Sequence, residues 1–184
     1  MNTHEIVKAL HFHPCTSRYF VGVFPSDQLP VTVPTRPAIL IANTDTSKQP
    51  GRHWVAFFLT EKNSHGYYFD SYGLSPLKPS FITFLNRNCS TWSHNHHHLQ
   101  SVWSIVCGQY CCVFLAFMCE KYHVTRDPIH AFVNLFISTT DHKQNDDWVV
   151  KKFQCWFRKY CKRPCNDISK YCCDKLVQTC CSQY

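Results

Sequence analysis

The chain has 184 residues, 45% hydrophobic and 17% charged, which suits one globular domain with its own core and excludes a chain disordered by charge. Of its net charge of +7, an excess of six comes from residues 151–184, so a basic end, read as a polyanion-binding segment or as a solvated basic face, follows a nearly neutral body. No charge-free apolar run reaches the ~18–20 residues of a membrane span, and MNTHEIVKALHFH has no signal-peptide layout; an intracellular protein is expected, in which disulfides are not the default for thirteen cysteines.

In chain order, residues 3–10 (THEIVKAL) pattern as a short amphipathic helix with Thr3 as N-cap. YFVGVF (19–24) has strand composition, and the Pro-rich SDQLPVTVPTRP after it cannot continue a central strand. AILIAN (38–43), HWVAFFLT (53–60) and YYFDSYG (67–73) alternate with polar turns, the order of a small antiparallel or mixed sheet. SFITFLNR (80–87) patterns as a helix capped by Ser80, and 88–98 as a polar, histidine-rich approach. Helices are expected over 107–123, over 128–137 with Pro128 at its first position, and over 146–161. The fold class is therefore α+β, a small mixed or antiparallel sheet flanked by helices. The expected division is a domain over 1–161 and a Cys/Lys-rich tail over 162–184.

A nucleophilic cysteine needs a depressed thiol pKa, a base within reach and donors for the oxyanion formed on the substrate. Cys107 opens a helix, where the dipole favours the thiolate and its own N–H faces an oxyanion; Gly108 leaves room for a substrate backbone. His53 opens one strand and Asp70 lies near the end of the next, places that an antiparallel hairpin brings together. Asp70 can then hold one imidazole nitrogen while the other faces the thiol. Gln100, seven residues before Cys107, offers a side-chain N–H to the oxyanion. Taken singly, these are a buried helix cysteine, a turn-edge histidine, a turn former and a loop amide.

Their order is more specific. GRHWVAFFL, then FDSYG, then Gln100 and CGQYCCVFL resemble the adenovirus protease (adenain) family of cysteine endopeptidases and its relatives in Polinton/Maverick-type elements, from about Glu5 to the 130s. The resemblance implies an adenain/Ulp-like fold with the nucleophile at a helix N-terminus. It makes Cys107 the nucleophile, His53 the base, Asp70 the acid (where adenovirus enzymes carry Glu) and Gln100 the oxyanion donor, and it matches Trp54 to the aromatic after the histidine. It requires no metal or organic cofactor, and implies viral or element-encoded structural precursors as substrates, a monomer, and a place in the host nucleus or a virion-like particle. It also implies an activating peptide disulfide-linked to Cys89, and DNA as a cofactor; the basic segment 151–184, which does not itself resemble the family's, permits that reading by its charge.

Two other functions remain open at this point. One is a Ulp-type isopeptidase of a ubiquitin-like modifier, although Val106 stands where that group commonly has Asp. The other is a catalytically silent, basic nucleic-acid-binding or scaffold protein. HNHHH (94–98) reads as a solvated polar loop, being too crowded for all its imidazoles to face one ion. The seven cysteines from Cys155 to Cys181 contain no CxxC pair, leaving zinc binding, disulfides and an unstructured tail equally open.

Overall fold

The computed structural model describes residues 1–61, 65–136 and 141–161, the last four without their side chains; the tail over 162–184, with its cysteines, lies outside the described residues. The elements are α1 (Thr3–Phe12), α2 (Pro14–Ser17), β1 (Phe20–Phe24), β2 (Ala38–Asn43), β3 (Trp54–Leu59), β4 (His65–Phe69), α3 (Pro79–Asn88), β5 (Thr91–His94), α4 (Cys107–Lys121), α5 (Pro128–Val133) and α6 (His142–Cys161). The five strands form one mixed sheet in the order β1-β2-β3-β4-β5. The pairs β2–β3 and β3–β4 are antiparallel, and the outer pairs β1–β2 and β4–β5 are parallel.

Every residue of β2 is buried, as is all of β3 beyond Trp54, because both faces of the sheet are covered. Ile39, Ile41, Ala56, Phe58 and Phe69 meet α1, α4, α5 and α6 on one face. Leu40, Ala42, Val55, Phe57, Leu59 and Tyr68 meet α3 on the other, through Phe81, Phe84 and Leu85. Helix α4 lies in the larger of these cores, with Tyr110 through Ala116 fully buried. A helix apolar all round is a core helix, and among the described residues no helix is long and apolar enough to cross a membrane.

The structure corrects several local expectations. The N-cap of α1 is Asn2, in a reciprocal capping box with Glu5, so Thr3 lies inside the helix. Helix α3 starts at Pro79 with Lys78 at its cap, and Ser80 caps nothing; proline's fixed φ suits the first helical position. The polar stretch after α3 contains β5, an edge strand whose pairing comes from backbone groups and needs no apolar pattern. Helix α6 begins at His142, where the Asp141 carboxylate accepts from the N–H groups of Lys143 and Gln144. Strand β4 ends at Phe69, so Asp70 is the first residue beyond the ladder.

Candidate active site

His53 and Asp70 flank the antiparallel β3–β4 pair, in which Ala56 is opposite Phe69. Continuing that register sets Tyr72 opposite His53 and Asp70 diagonal to it. His53 Nε2 donates to Asp70 Oδ1 at 2.8 Å, with side-chain exposures of only 14% and 4%. The Tyr72 ring stacks on the imidazole, centroids 4.8 Å apart. With Nε2 engaged, Nδ1 is left for the thiol of Cys107, to which the imidazole hydrogen-bonds.

Cys107 opens α4 after Val106, which supplies no capping side chain, so the first N–H groups of the helix remain available to a thiolate or oxyanion. Burial opposes charge on both partners. Against it, the hydrogen bonds to Asp70 and Cys107 raise His53 to about 9. Burial likewise pushes the Cys107 thiol up, but its hydrogen bond to His53, the imidazolium charge and the N–H groups of Trp54 and Gly108 bring it below the usual thiol value. The mutual stabilisation of a thiolate–imidazolium pair contributes to both shifts, and Asp70 adds to that of His53. One helical turn deeper, Cys111 differs: its Sγ donates to Trp54 O at 3.3 Å, and burial carries its pKa well above the ordinary thiol value.

Gln100 is 1% exposed. Its Oε1 accepts from Ser71 Oγ at 2.6 Å, which fixes which end of the amide donates; Nε2 donates to Ser104 O at 3.0 Å and lies 3.4 Å from Tyr72 Oη. The long second contact is the one an oxyanion can replace.

The turn Asp70-Ser71-Tyr72-Gly73 thus reaches both His53 and Gln100. Gly73 closes it, its N–H on Asp70 O at 2.8 Å, with φ +72° and no room for a Cβ, which would lie 2.7 Å from the His97 carbonyl carbon. Sequence reasoning passed over Ser71 and Tyr72 as turn residues; the available signal was that they sit between the candidate acid and a glycine. It also missed Asn95. That side chain, 2% exposed within HNHHH, accepts from Asp70 N at 3.0 Å and donates to Asp70 O at 2.7 Å. His96, His97 and His98 are exposed, and among the described residues no group of three potential ligands gathers to hold a metal. Cys89 is 8% exposed at the C-cap of α3, and burial raises its thiol pKa against the pull of Arg36.

A model of the adenovirus endoprotease family matches residues 20–163. The chain belongs to that family. It is similar to the protease of frog adenovirus 1, 24% identical over 171 residues that cover 76% of this chain and 81% of that protein. It is similar to the protease of avian adenovirus 8, 28% identical over 163 residues covering 82% and 75%. With the protease of human adenovirus B serotype 3 it shares 29% identity over 111 residues, 53% of each. Among solved structures it is similar to the ASFV pS273R protease, with TM-score 0.39 and 23% identity over 60% of this chain and 42% of that one. Like the rest of the adenovirus endoprotease family, the chain is a cysteine endopeptidase.

Proposed function

We propose that this endopeptidase processes viral or element-encoded structural precursor proteins, with Cys107 as nucleophile, His53 as base and acid, Asp70 as the orienting carboxylate and Gln100 as oxyanion donor. The observation that carries the assignment is the 2.8 Å His53–Asp70 bond, which commits Nε2 and leaves Nδ1 for the thiol. The Cys107 thiolate attacks the scissile carbonyl carbon. The oxygen takes the charge and is held by Gln100 Nε2–H and the Cys107 N–H. The imidazolium gives its proton to the leaving amine, and a thioester remains. Neutral His53 then takes a proton from water as its oxygen attacks the thioester; the acid product departs and the ion pair returns.

A peptide-aldehyde or vinyl-sulfone probe tests the assignment: the adduct is expected on Cys107 and is lost in His53→Ala. Label spread over many cysteines and indifferent to His53→Ala overturns it. Cleavage of Gly-containing structural precursors in preference to ubiquitin-like fusions is expected; the reverse preference makes the enzyme a deconjugase. The basic residues from Lys151 onward support DNA as a partner, so DNA is expected to stimulate cleavage with an effect that fades as salt rises. An activating peptide joined through Cys89 would first require that buried thiol to be uncovered; an unchanged maximal activity in Cys89→Ala argues against such a link.

A further inference from the structure

Gln100 stands on a stretch without regular structure between β5 and α4, where no backbone ladder holds it. Side chains and one turn do so instead. Leu99 N and Gln100 N both donate to Ser71 O, at 2.9 and 3.1 Å. Leu99 O is ringed by Tyr110 Oη at 3.2 Å, Asn145 Nδ2 at 3.1 Å and His142 Nδ1 at 3.3 Å. On the other side of Gln100, Ser101 N donates to Asp146 Oδ1 at 3.3 Å, and Tyr110 Oη donates to the same oxygen at 3.1 Å. A hydroxyl has one proton and a carbonyl two lone pairs. The Tyr110 proton therefore goes to the charged acceptor, the stronger bond, while Asn145 and His142 fill Leu99 O.

The carriers of this network are buried: Tyr110 0%, Asp146 7% and Asn145 4% exposed. Tyr110 is three residues after Cys107 on α4, and Asp146 is on α6. The network therefore ties the loop of the oxyanion donor to the nucleophile's own helix.

We propose that Asp146 and Tyr110 are positioning residues for the oxyanion donor, setting the distance between Gln100 Nε2 and Cys107 by holding the backbone on either side of Gln100. This rests on the roles proposed above for Gln100 and Cys107.

Two reagents separate positioning from general support. Iodoacetamide alkylates the thiolate by displacement and forms no oxyanion. A glycinal-terminated peptide aldehyde forms a hemithioacetal whose oxygen needs the donors. Tyr110→Phe and Asp146→Ala are expected to weaken aldehyde inhibition by about tenfold and leave the alkylation rate of Cys107, followed by mass mapping, within about twofold. Asp146→Asn, which keeps an acceptor, is expected to recover most of the loss. Gln100→Ala should show the same signature more strongly, and Tyr110→Phe should add little on top of it, because both act through one donor.

Normal aldehyde inhibition in Tyr110→Phe and Asp146→Ala, with Gln100→Ala impaired, overturns the positioning roles alone. Normal inhibition in Gln100→Ala overturns the donor assignment and the proposal with it. Parallel loss of alkylation and inhibition in Tyr110→Phe, whose ring still fills the core, overturns positioning in favour of general support. Should Asp146→Ala not fold, Tyr110→Phe and Asp146→Asn carry the comparison.

Discussion

The two halves of the site are built by different means. His53 and Asp70 flank a ladder of backbone hydrogen bonds, β3 against β4, where a one-residue slip would send every buried side chain to the wrong face. Their relative position is thus held by the whole sheet and both cores. Gln100 is held by the carbonyl of one turn residue, Ser71, and by individual side chains: Ser71 on its amide, Tyr110 and Asp146 on its flanks. Cys107 stands between, on a rigid helix contacting both halves. A ladder resists single substitutions, whereas side-chain hydrogen bonds are lost one substitution at a time, so the His53–Asp70 half should be robust in geometry and the half proposed to hold the oxyanion fragile.

The largest expected effect tests charge in the robust half. Asp70→Asn keeps an acceptor for His53 and for Tyr72 N, which is 2.8 Å from the same oxygen, and removes only the charge. On the order of 10²–10⁴-fold loss of kcat/KM is expected. In the native enzyme the imidazolium loses its proton as pH rises through about 9, the alkaline limit of the ion pair, and the thiolate gains one as pH falls through the depressed thiol pKa, the acid limit. Asp70 raises the His53 value, so in Asp70→Asn the alkaline limb of the pH–rate profile should move to lower pH. An unmoved limb would show that Asp70 acts on His53 by geometry alone.

Next comes Asn95→Ala, which strips two hydrogen bonds from the Asp70 backbone. Unfolding free energy should fall by about 1–3 kcal/mol, measured by urea titration, with a smaller loss of activity than Asp70→Asn because the ladder still aims the acid. Activity loss as large as that of Asp70→Asn would place the aim of the acid in Asn95 instead. Ser71→Ala frees Gln100 Oε1; a roughly tenfold fall in kcat with KM unchanged is expected, as for one lost buried hydrogen bond of about 1–1.5 kcal/mol. The pH limbs should not move, since Ser71 touches neither partner of the ion pair, and a shift would join the two halves. The smallest effect is Cys111→Ala: stability down by about 1 kcal/mol, kcat/KM unchanged. Its thiol lies one turn from Cys107 but far above it in pKa, so proximity to the site does not by itself make a reactive cysteine.

Legibility in the sequence follows the same division. AILIAN is β2 residue for residue, and WVAFFL is β3, because buried strands write their burial into continuous apolar runs. CGQYCCVFL opens α4 as expected. His53, Asp70 and Cys107 were legible as candidates from their places at strand and helix ends, and Gln100, a loop amide, chiefly from the order of motifs that resembles the adenovirus protease family. Ser71, Tyr72 and Asn95 were not, because a serine, a tyrosine and an asparagine in turns have many ordinary uses. Strand β5 was hidden as well: an edge strand of Thr, Trp, Ser and His pairs through its backbone and leaves no apolar signature.

By itself, then, the amino-acid sequence determined the central strands and the core helix, features set by local composition and periodicity, and it offered the candidate residues for catalysis through an order of motifs that resembles a known family. Only the tertiary structure decided that Asp70 meets Nε2 of His53, that Ser71 turns the Gln100 amide, and that Cys107 is depressed while Cys111 is raised. Each depends on groups distant in sequence brought within about 3 Å, where desolvation and hydrogen bonding set protonation and orientation. No pattern within a single segment contains those distances.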